Sequence, residues 1–268
     1  MWRAILRNFP DWLFYLVIVI LIYANSNRAS EKITPPSPPP ELGAMLPSES
    51  PRDERVIVKV DKPRSGIGTA FAIDNDGQWI TARHVVDNCT KVGLNIGGLK
   101  ILKTAAQVSK DTDTAILTSE WTRKPLANDL YSDRQIGERG YFFGFPQGRP
   151  GEVVGSLLAR NRMLVRGRYR SDEAVLAWSE VSRTKGLLGS LGGLSGAPVL
   201  DEDGEVIGVV SAESPRRGRI YTVTPENLQT LMTKSPVIPT ALTLDSYGLQ
   251  ADKFRRDRRI AQVVCMVN

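Results

Sequence analysis

Histidine and cysteine are scarce in this chain of 268 residues, which contains one His and two Cys. A typical structural zinc site needs four such ligands close together, so this composition excludes one. We therefore expect neither a metal nor a cofactor. Any mechanism that relies on a histidine base must use His84, the single histidine of the chain. The sequence also lacks an internal repeat, which excludes solenoid architectures.

Stretches in which basic and aromatic residues alternate are lacking as well. The chain has 35 Lys and Arg against 29 Asp and Glu, a net charge of +6. The positive charge is concentrated in three runs, at residues 166–170, 216–219 and 253–259. A platform for single-stranded nucleic acid needs aromatic side chains among the basic ones. We interpret the runs as solvated surface and expect no nucleic-acid partner.

A charge-free apolar run occupies residues 12–24 and follows two arginines. It is shorter than the roughly 20 residues that span a bilayer, and long enough for the core of a signal peptide. We favour an uncleaved, single-pass signal anchor over residues 1–33, because Trp12 and Tyr23 are placed like interfacial anchors. A cleaved signal peptide and a buried helix are the alternatives. The positive-inside tendency then places the chain after residue 25 on the periplasmic or extracellular side of the inner membrane.

Three further segments follow this membrane segment. Seven prolines make residues 34–53 a disordered linker with polyproline II character. Residues 54–235 contain short strand-like runs separated by turn residues, which predicts an all-β barrel or sandwich. One helix is predicted over residues 225–234, with Thr224 as its N-cap. Residues 236–268 form a C-terminal extension that ends in a basic run and a terminal strand.

A serine between glycines lies at residues 192–198, Gly-Gly-Leu-Ser-Gly-Ala-Pro. The small residues around Ser195 allow a sharp turn that brings two backbone N–H groups to one point, as an oxyanion hole requires. The same pattern occurs in ordinary glycine-rich turns. The interpretation therefore depends on whether the chain supplies partners for this serine.

The candidate partners are His84 and an acid between it and Ser195. Because His84 precedes the serine, the serine-acid-histidine order of the α/β-hydrolases is excluded. Asp113 stands directly before an apolar strand-like run, where a carboxylate can be shielded from water and accept a hydrogen bond from an imidazole. Asp111 fits this position less well. Taken singly, these residues are equally explained as a surface histidine and a turn aspartate.

Together these stretches resemble the trypsin-like (chymotrypsin-fold) serine peptidases, and especially the bacterial HtrA/Deg-type protease domain. Residues 81–86 resemble the Thr-Ala-x-His motif of that family, residues 113–117 its Asp-x-Ala-x-Leu motif, and residues 193–199 its serine motif. The resemblance covers roughly residues 54–235. It implies a chymotrypsin-like double β-barrel with a C-terminal helix, here preceded by the N-terminal membrane helix and the Pro-rich linker.

The resemblance also implies a mechanism and a partner. Ser195 attacks the carbonyl of a protein or peptide substrate, His84 moves the proton, and Asp113 orients the imidazole. The N–H groups of Gly193 and Ser195 form the oxyanion hole. The oligomeric state is left open.

Two features depart from the family pattern. Animal digestive members carry an aspartate just before the serine, where it pairs with a newly cut N-terminus, but this chain has Leu194. We therefore expect no activation by that ion pair. The chain after residue 234 is too short for the PDZ domain that HtrA-like proteins usually append, so we expect no peptide gating through such a module.

The primary specificity pocket of this fold is lined by the segment before the serine and by a strand after it. Gly189, Ser190, Ser211 and Ala212 occupy these positions here. No acid stands at the expected pocket floor, which predicts a neutral pocket for small or medium apolar side chains. Glu213 is the one neighbour that could alter this preference.

The two cysteines, Cys89 and Cys265, are expected to form a disulfide, because cysteines in an exported protein are more often paired than free. Two free thiols are the alternative. Such a bond would hold the C-terminal strand close to the segment that carries His84.

Three functions are compatible with these residues. The first is a serine endopeptidase that hydrolyses exported or envelope proteins. The second is a catalytically silent trypsin-like domain that serves as a membrane-tethered protein-binding module. The third is an unrelated β-barrel in which His84 and Ser195 never meet.

Overall fold

The structure is a computed structural model that describes Trp12 and residues 15–21, 41–98 and 100–267. Trp12 and residues 15–21 are helical. Within these ranges, no helix has both the length and the apolar character needed to cross a membrane. The remainder of the anchor predicted over residues 1–33, and the proline-rich start of the linker, lie outside the described residues. Pro40–Asn268 forms one compact unit.

This unit is built almost entirely from strands. The strands are β1 (Glu54–Val60), β2 (Gly66–Ala72), β3 (Gln78–Thr81), β4 (Lys91–Gly97), β5 (Lys100–Val108), β6 (Ala115–Thr118), β7 (Arg139–Gly144), β8 (Gly151–Gly167), β9 (Ser171–Arg183), β10 (Pro198–Leu200), β11 (Val206–Ser214), β12 (Arg219–Val223) and β13 (Ile260–Met266). The helices are α1 (Arg83–Val86), α2 (Pro225–Leu228) and α3 (Tyr247–Arg256).

Six strands close the first barrel in the order β13-β2-β3-β6-β5-β4. The last strand of the chain, β13, is antiparallel to both β2 and β4. Side chains alternate across the strands, and one face of each fills the barrel interior around Trp79, Leu94, Leu117 and Val263. The C-terminal strand therefore completes a barrel whose other strands precede residue 119.

Strands β7 to β12 form the second barrel. They follow the order β8-β7-β10-β11-β12-β9, and the pairing of β8 with β9 closes the ring. Phe142 and Trp178 lie in its core with their rings edge to face, at a centroid distance of 5.6 Å. Strand β1 adds to β8 in parallel. Its alternate residues Val56, Val58 and Val60 pack towards the β8-β9 hairpin.

A shared apolar cluster joins the two barrels. Phe71 and Ile80 of the first barrel belong to the same buried cluster as Phe143 and Val209 of the second, together with Phe254 of α3. Burying one such side chain contributes about 2 kcal/mol. The barrels are thus held together by a continuous core, and the groove beside it is where their loops converge.

The β8-β9 hairpin is unusually long, with strands of 17 and 13 residues. Strands in globular proteins are usually about five or six residues long. The hairpin starts in the second barrel, but its tip reaches the first, where Arg168 Nη2 donates a 2.7 Å hydrogen bond to the carbonyl of His84. It therefore brings residues of one barrel to the catalytic candidates of the other.

The linker predicted over residues 34–53 does not remain free along its whole length. The N–H of Gly43 donates to the carbonyl of Ile136 at 2.7 Å, and that of Leu46 donates to the carbonyl of Arg134 at 2.8 Å. Leu46 also packs against the core of the second barrel. The reason is local composition: between the proline clusters, a short apolar stretch has the N–H groups and side chains needed for pairing.

The helix predicted over residues 225–234 is shorter than expected. It spans Pro225–Leu228, and the side chain of Thr224 caps it by accepting from the N–H of Asn227 at 3.4 Å. A longer helix, α3, lies in the C-terminal extension, where a charged helical or extended run is expected.

Helix α3 also corrects the interpretation of the basic run at residues 253–259. Arg255 is buried and contacts Glu152 and Asp252. It therefore anchors the helix to the second barrel instead of lying in solvent.

Candidate active site

His84 lies on the one-turn helix α1, directly after β3. Its Nδ1 lies 2.8 Å from Oδ2 of Asp113. Its backbone N–H donates to the other carboxylate oxygen, Oδ1, at 2.9 Å. The N–H of Arg83 donates to the carbonyl of Asp113 at 3.2 Å. These bonds tie the helix to the loop before β6, so the imidazole and the carboxylate are held in one orientation.

Asp113 accepts two further hydrogen bonds from the second barrel. The hydroxyl of Ser211, on β11, donates to Oδ2. The hydroxyl of Tyr169, at the tip of the β8-β9 hairpin, donates to Oδ1 at 2.7 Å. Asp113 is only 2% exposed, and an ionised carboxylate at that depth needs such donors. The structure thus provides a buried acid with donors from both barrels.

The electrostatics of the pair favour its charged form. Burial raises the pKa of Asp113, but the charge of His84 and the hydrogen bonds from His84, Ser211 and Tyr169 outweigh it, so the pKa lies below its usual value. Burial lowers the pKa of His84, but the charge of Asp113 and its hydrogen bond outweigh this effect despite opposition from Arg168, so the pKa lies above its usual value. The carboxylate is therefore suited to stabilising an imidazolium.

Three residues of the hairpin that support this pair were not identified from the sequence. They are Arg168, Tyr169 and Glu173. Arg168 pairs with Asp87 at 3.2 Å as well as binding the carbonyl of His84. Glu173 accepts from the N–H of Asp113 at 2.8 Å, and burial together with the charge of Asp113 raises the pKa of Glu173 well above its usual value.

The prediction that residues 166–170 form solvated surface is therefore wrong for Arg168 and Tyr169. Arg168 has a side chain only 10% exposed, and Tyr169 is buried beneath the guanidinium of Arg83, which lies 3.8 Å from its ring centroid. The only sequence signal was a tyrosine within a basic run. The hydrogen bond of Tyr169 to Asp113 joins residues 56 positions apart in the chain.

Ser195 lies in the loop before β10 and lines the same cleft as His84. Its carbonyl accepts from the N–H of Thr69 at 2.9 Å, which fixes the loop against β2. Within the described chain, the Ser195 hydroxyl forms no hydrogen bond with His84. Such bonds are often long in unliganded enzymes and shorten when substrate binds.

Gly193 has a left-handed backbone conformation, which fits the sharp turn predicted around Ser195. Its φ is +96°, and a Cβ at this position would lie 2.5 Å from the carbonyl oxygen of Phe145, so only glycine fits. As far as the chain is described, the backbone N–H groups of Gly193 and Ser195 are not used in any hydrogen bond. Both donors are available to a negatively charged oxygen.

These residues meet in one open cleft between the barrels. The cleft has a volume of about 570 Å³ and is lined by His84, Asp113, Gly193, Ser195 and Ser211. The segment from β1 to β2 covers part of its rim. The geometry can hold an extended peptide against a serine, a histidine and an acid in one place.

A smaller apolar pocket of about 30 Å³ opens beside Ser195. Its lining is Leu191, Gly192, Leu194, Ser195, Val210, Ala212, Glu213 and Ile220. Most of these side chains are aliphatic, so the pocket suits a small apolar group. The carboxylate of Glu213 accepts from the hydroxyl of Ser190 and, at 2.8 Å, from the N–H of Leu191.

Of the four residues predicted to line a specificity pocket, Ala212 is in the lining of this small pocket. Ser211 lines the larger cleft and binds Asp113. Gly189 and Ser190 are outside the lining of both cavities in the described chain, because the carbonyl of Gly189 is held by Arg183 and the hydroxyl of Ser190 is directed to Glu213.

A disulfide joins Cys89 and Cys265, with their Cα atoms 5.6 Å apart. Cys89 follows α1, and Cys265 lies on β13. The bond therefore connects the segment that carries His84 to the terminal strand of the first barrel.

Three carboxylates outside the cleft come within 4.8 Å of one another, those of Asp129, Asp201 and Glu205. Arg134 pairs with Asp129 at 2.6 Å and with Asp201 at 3.4 Å. This cation already compensates the negative charge, and we interpret the group as an ion-pair network.

Comparison with known proteins agrees with this geometry. The family model described as trypsin-like peptidase domain matches residues 68–209, and the chain belongs to this family. The expected resemblance to the HtrA type is also confirmed, because curated relatives carry DegP-like names. The all-β architecture of two barrels with few helices is consistent with the chymotrypsin-like fold.

Two relatives and one solved structure illustrate the similarity. A probable periplasmic serine endoprotease, DegP-like, of Chlamydia pneumoniae is 27% identical over 208 residues, or 72% of this chain and 40% of that protein. A putative serine protease, HhoB, of Synechocystis sp. is 30% identical over 155 residues, or 57% of this chain and 36% of that protein. The chain thus spans less than half the length of these relatives. The active form of the Rv3671c protease from M. tuberculosis shares the fold, with 20% identity, a TM-score of 0.51 and coverage of 65% of this chain and 76% of that one.

Proposed function

We propose that this protein is a serine endopeptidase in which Ser195 is the nucleophile, His84 the general base and acid, and Asp113 the orienting carboxylate. The observation that carries the proposal is the 2.8 Å hydrogen bond between His84 Nδ1 and Asp113 Oδ2, at a cleft that Ser195 also lines. With Nδ1 engaged, Nε2 is the ring nitrogen left to accept a proton from a serine hydroxyl. Membership of the trypsin-like peptidase domain family supports the same assignment.

The proposed reaction has two halves. Ser195 Oγ attacks the scissile carbonyl carbon while its proton passes to Nε2 of His84, and the N–H groups of Gly193 and Ser195 bind the resulting oxyanion. His84 then donates that proton to the leaving amine, which departs and leaves an acyl-enzyme. A water molecule then gives a proton to Nε2 of His84 and attacks the acyl carbon, and His84 returns that proton to Ser195 Oγ as the new C-terminal carboxyl group leaves. Asp113 remains ionised throughout and stabilises the imidazolium.

The substrate class follows from the cavities and from the relatives. The open cleft is suited to an extended polypeptide, and the small apolar pocket beside Ser195 favours a small aliphatic side chain at the residue before the cleaved bond. Relatives are named periplasmic, and the Cys89–Cys265 disulfide is typical of an oxidising compartment. We therefore infer that the substrates are exported or envelope proteins, and that residues 1–33 tether the enzyme to the membrane as a single-pass anchor.

A fluorophosphonate probe tests the catalytic assignment on the full-length chain. We expect covalent labelling of the native protein, no labelling of Ser195→Ala, and normal labelling of Ser65→Ala, which removes another hydroxyl that lines the same cleft. An unfolded protein such as casein should be cleaved by the native chain and by Ser65→Ala, and should not be cleaved by Ser195→Ala. A folded native chain that neither labels nor cleaves would favour the protein-binding module over the enzyme.

The anchor has its own test. Alkaline carbonate extraction of membranes should leave the full-length chain in the membrane pellet, and a version lacking residues 1–33 should be released. Recovery of the full-length chain in the soluble fraction, shortened at its N-terminus, would point to a cleaved signal peptide.

A further inference from the structure

Gln147 has an unusual backbone conformation in the loop between β7 and β8. Its φ is 53° and its ψ is 25°, which is left-handed, although it is not a glycine. That conformation costs about 1 kcal/mol or more in a residue with a Cβ, and it persists where surrounding contacts enforce it. The contacts that enforce it lead directly to the segment before Ser195.

Three hydrogen bonds run from Gln147 to that segment, which we name the oxyanion loop and define as residues 188–193. The side-chain amide Nε2 donates to the carbonyl of Leu188 at 2.5 Å and to the carbonyl of Ser190 at 2.8 Å. The backbone N–H donates to the carbonyl of Gly192 at 2.5 Å. One residue thus binds every second carbonyl of the loop.

The third of these bonds determines where the N–H of Gly193 points. In a trans peptide the C=O and the following N–H lie in one plane and point in opposite directions. Since the carbonyl of Gly192 is directed to Gln147, the N–H of Gly193 points away from Gln147. The next peptide is also fixed, because the carbonyl of Gly193 accepts from the hydroxyl of Thr69 at 2.8 Å.

Leu194 occupies the position of the acid, so this residue cannot hold the loop through an acid–ammonium pair. Leu194 is 1% exposed and belongs to the core of the second barrel. It packs so closely that a Cβ on Gly144 would lie 2.9 Å from its Cδ1. Leucine anchors the loop by burial but makes no directional bond to the peptide between Gly192 and Gly193. The directional bond to that peptide comes from the backbone N–H of Gln147, and the side-chain amide of Gln147 binds two further carbonyls of the loop.

We propose that Gln147 is a positioning residue that holds the oxyanion loop with the N–H of Gly193 directed into the cleft. Gln147 therefore takes the place of the activating ion pair in this chain. This inference rests on the proposed serine mechanism, because an oriented Gly193 N–H matters to an oxyanion. The anchoring of the loop itself can be measured without any activity.

Two variants of the full-length chain test the proposal. Gln147→Glu keeps the size of the side chain but cannot donate to the two carbonyls. Gln147→Gly also removes both side-chain bonds, and it accepts the left-handed backbone without strain. Both variants keep the backbone N–H that donates to Gly192, so they measure how far the side-chain bonds hold that N–H in place. Gln229→Glu is the matched control, since Gln229 Nε2 also donates to a backbone carbonyl, that of Leu130 at 2.7 Å, away from the cleft.

The kinetic expectation is specific to positioning. Both Gln147 variants should lose kcat by about 10- to 100-fold with little change in KM, because an oxyanion donor acts in the transition state. Inhibition by a peptide aldehyde, which forms a tetrahedral adduct with the serine, should weaken in proportion to kcat/KM. Substrate binding to a variant that also carries Ser195→Ala should be unchanged. Rates within twofold of the native chain in both variants would overturn the proposal.

Amide hydrogen exchange provides the readout that is independent of catalysis. We expect the N–H groups of Leu191 and Gly192, which are hydrogen-bonded in the native chain, to exchange at least 10-fold faster in both Gln147 variants and at the native rate in Gln229→Glu. Unchanged exchange in this loop would overturn the anchoring role even if activity fell. If the native chain proves inactive, the serine mechanism fails, and exchange still decides whether Gln147 anchors the loop.

Discussion

The hydroxyl of Tyr169 donates a 2.7 Å hydrogen bond to Oδ1 of Asp113, across the groove between the two barrels. The same oxygen accepts from the backbone N–H of His84, and Oδ2 accepts from Ser211. The tip of a long hairpin therefore takes part in setting the charge on the acid. This contact has consequences for the pH dependence of the proposed reaction.

Removing that hydroxyl should weaken catalysis and shift its pH profile. In Tyr169→Phe the carboxylate of Asp113 loses a donor and binds protons more strongly, so it also stabilises the imidazolium of His84 more strongly. The carboxylate also loses a hydrogen bond that holds it in place, so we expect kcat/KM to fall about 3- to 10-fold, as for loss of about 1 kcal/mol, and the acid limb to move to higher pH. Rates of fluorophosphonate labelling across pH measure both effects.

Tyr131→Phe is the matched control for this substitution, because Tyr131 is 65% exposed and lies outside the cleft. Tyr131→Phe should leave the labelling rate and its pH profile unchanged. Identical profiles for Tyr169→Phe and the native chain would show that the hydroxyl has no part in tuning the pair.

The native pH profile follows from the direction of the two pKa shifts. A base must be neutral to accept a proton, so activity falls as pH drops through the pKa of His84. That pKa is raised above 6.5, chiefly because the Asp113 charge and hydrogen bond overcome burial. We therefore expect half-maximal kcat/KM at a pH above 6.5. The lowered pKa of Asp113 keeps the carboxylate ionised through this range.

In Asp113→Asn we expect the shift in the pKa of His84 to change sign. Without the carboxylate charge, burial and Arg168 both lower the pKa of His84, so the acid limb should move below 6.5. The rate should also fall by about 10⁴-fold, since the amide favours the wrong tautomer. An acid limb that stays in place in this variant would mean that another group controls it.

A site residue can be predicted from the sequence when the contacts that define it are made by its neighbours in the chain. His84, Asp113 and Ser195 stand in short motifs whose neighbours build the turn or strand end they need, so the residues could be selected before the structure was known. Tyr169 and Gln147 act through partners 56 and 41 to 43 positions away in the chain. No local sequence pattern indicates the contacts of these two residues.

The same distinction applies to the fold. The short runs at residues 78–81 and 115–118 are predicted as strands from the sequence, and they form β3 and β6. The sequence predicts no strand at residues 100–108, because this segment is rich in Lys and Ala and mostly exposed. Its neighbours β4 and β6 hold it as β5. Helix α3 was identified only in part. Its apolar side consists of Tyr247, Ala251 and Phe254, which follow helical spacing, but the charged residues between them dominate the pattern.

The small pocket beside Ser195 predicts a narrow preference at the residue before the cleaved bond. In a peptide library we expect Ala and Val to be favoured over Leu and Phe, because Ile220 and Val210 fill the space that a longer side chain needs. Ile220→Ala should raise the ratio of kcat/KM for Leu over Ala by about 10-fold or more, since each methylene accommodated contributes about 1 to 3 kcal/mol.

Folding must be checked in that variant, because an Ile-to-Ala change in a core typically costs about 2 to 5 kcal/mol. Ile220→Val is the milder version and should shift the ratio in the same direction by less. Ile101→Ala, at a site 45% exposed on β5, is the control and should leave the ratio unchanged. A native preference for large residues, or an unaltered ratio in both Ile220 variants, would place the specificity pocket elsewhere.

The Cys89–Cys265 disulfide should stabilise the first barrel, because it closes a loop of 176 residues between α1 and β13. In the chain-entropy model such a crosslink contributes about 5 kcal/mol. We expect the double variant Cys89→Ser with Cys265→Ser to have a free energy of unfolding in urea lower by about that amount. A reductant should destabilise the native chain to the same extent and leave the double variant unaffected.

Because β13 pairs with both β2 and β4, loss of the disulfide should loosen this terminal strand first. Amide exchange should then be faster at residues 260–266 than in the second barrel. Equal stability of the native chain with and without reductant would mean that strand pairing alone holds the barrel closed.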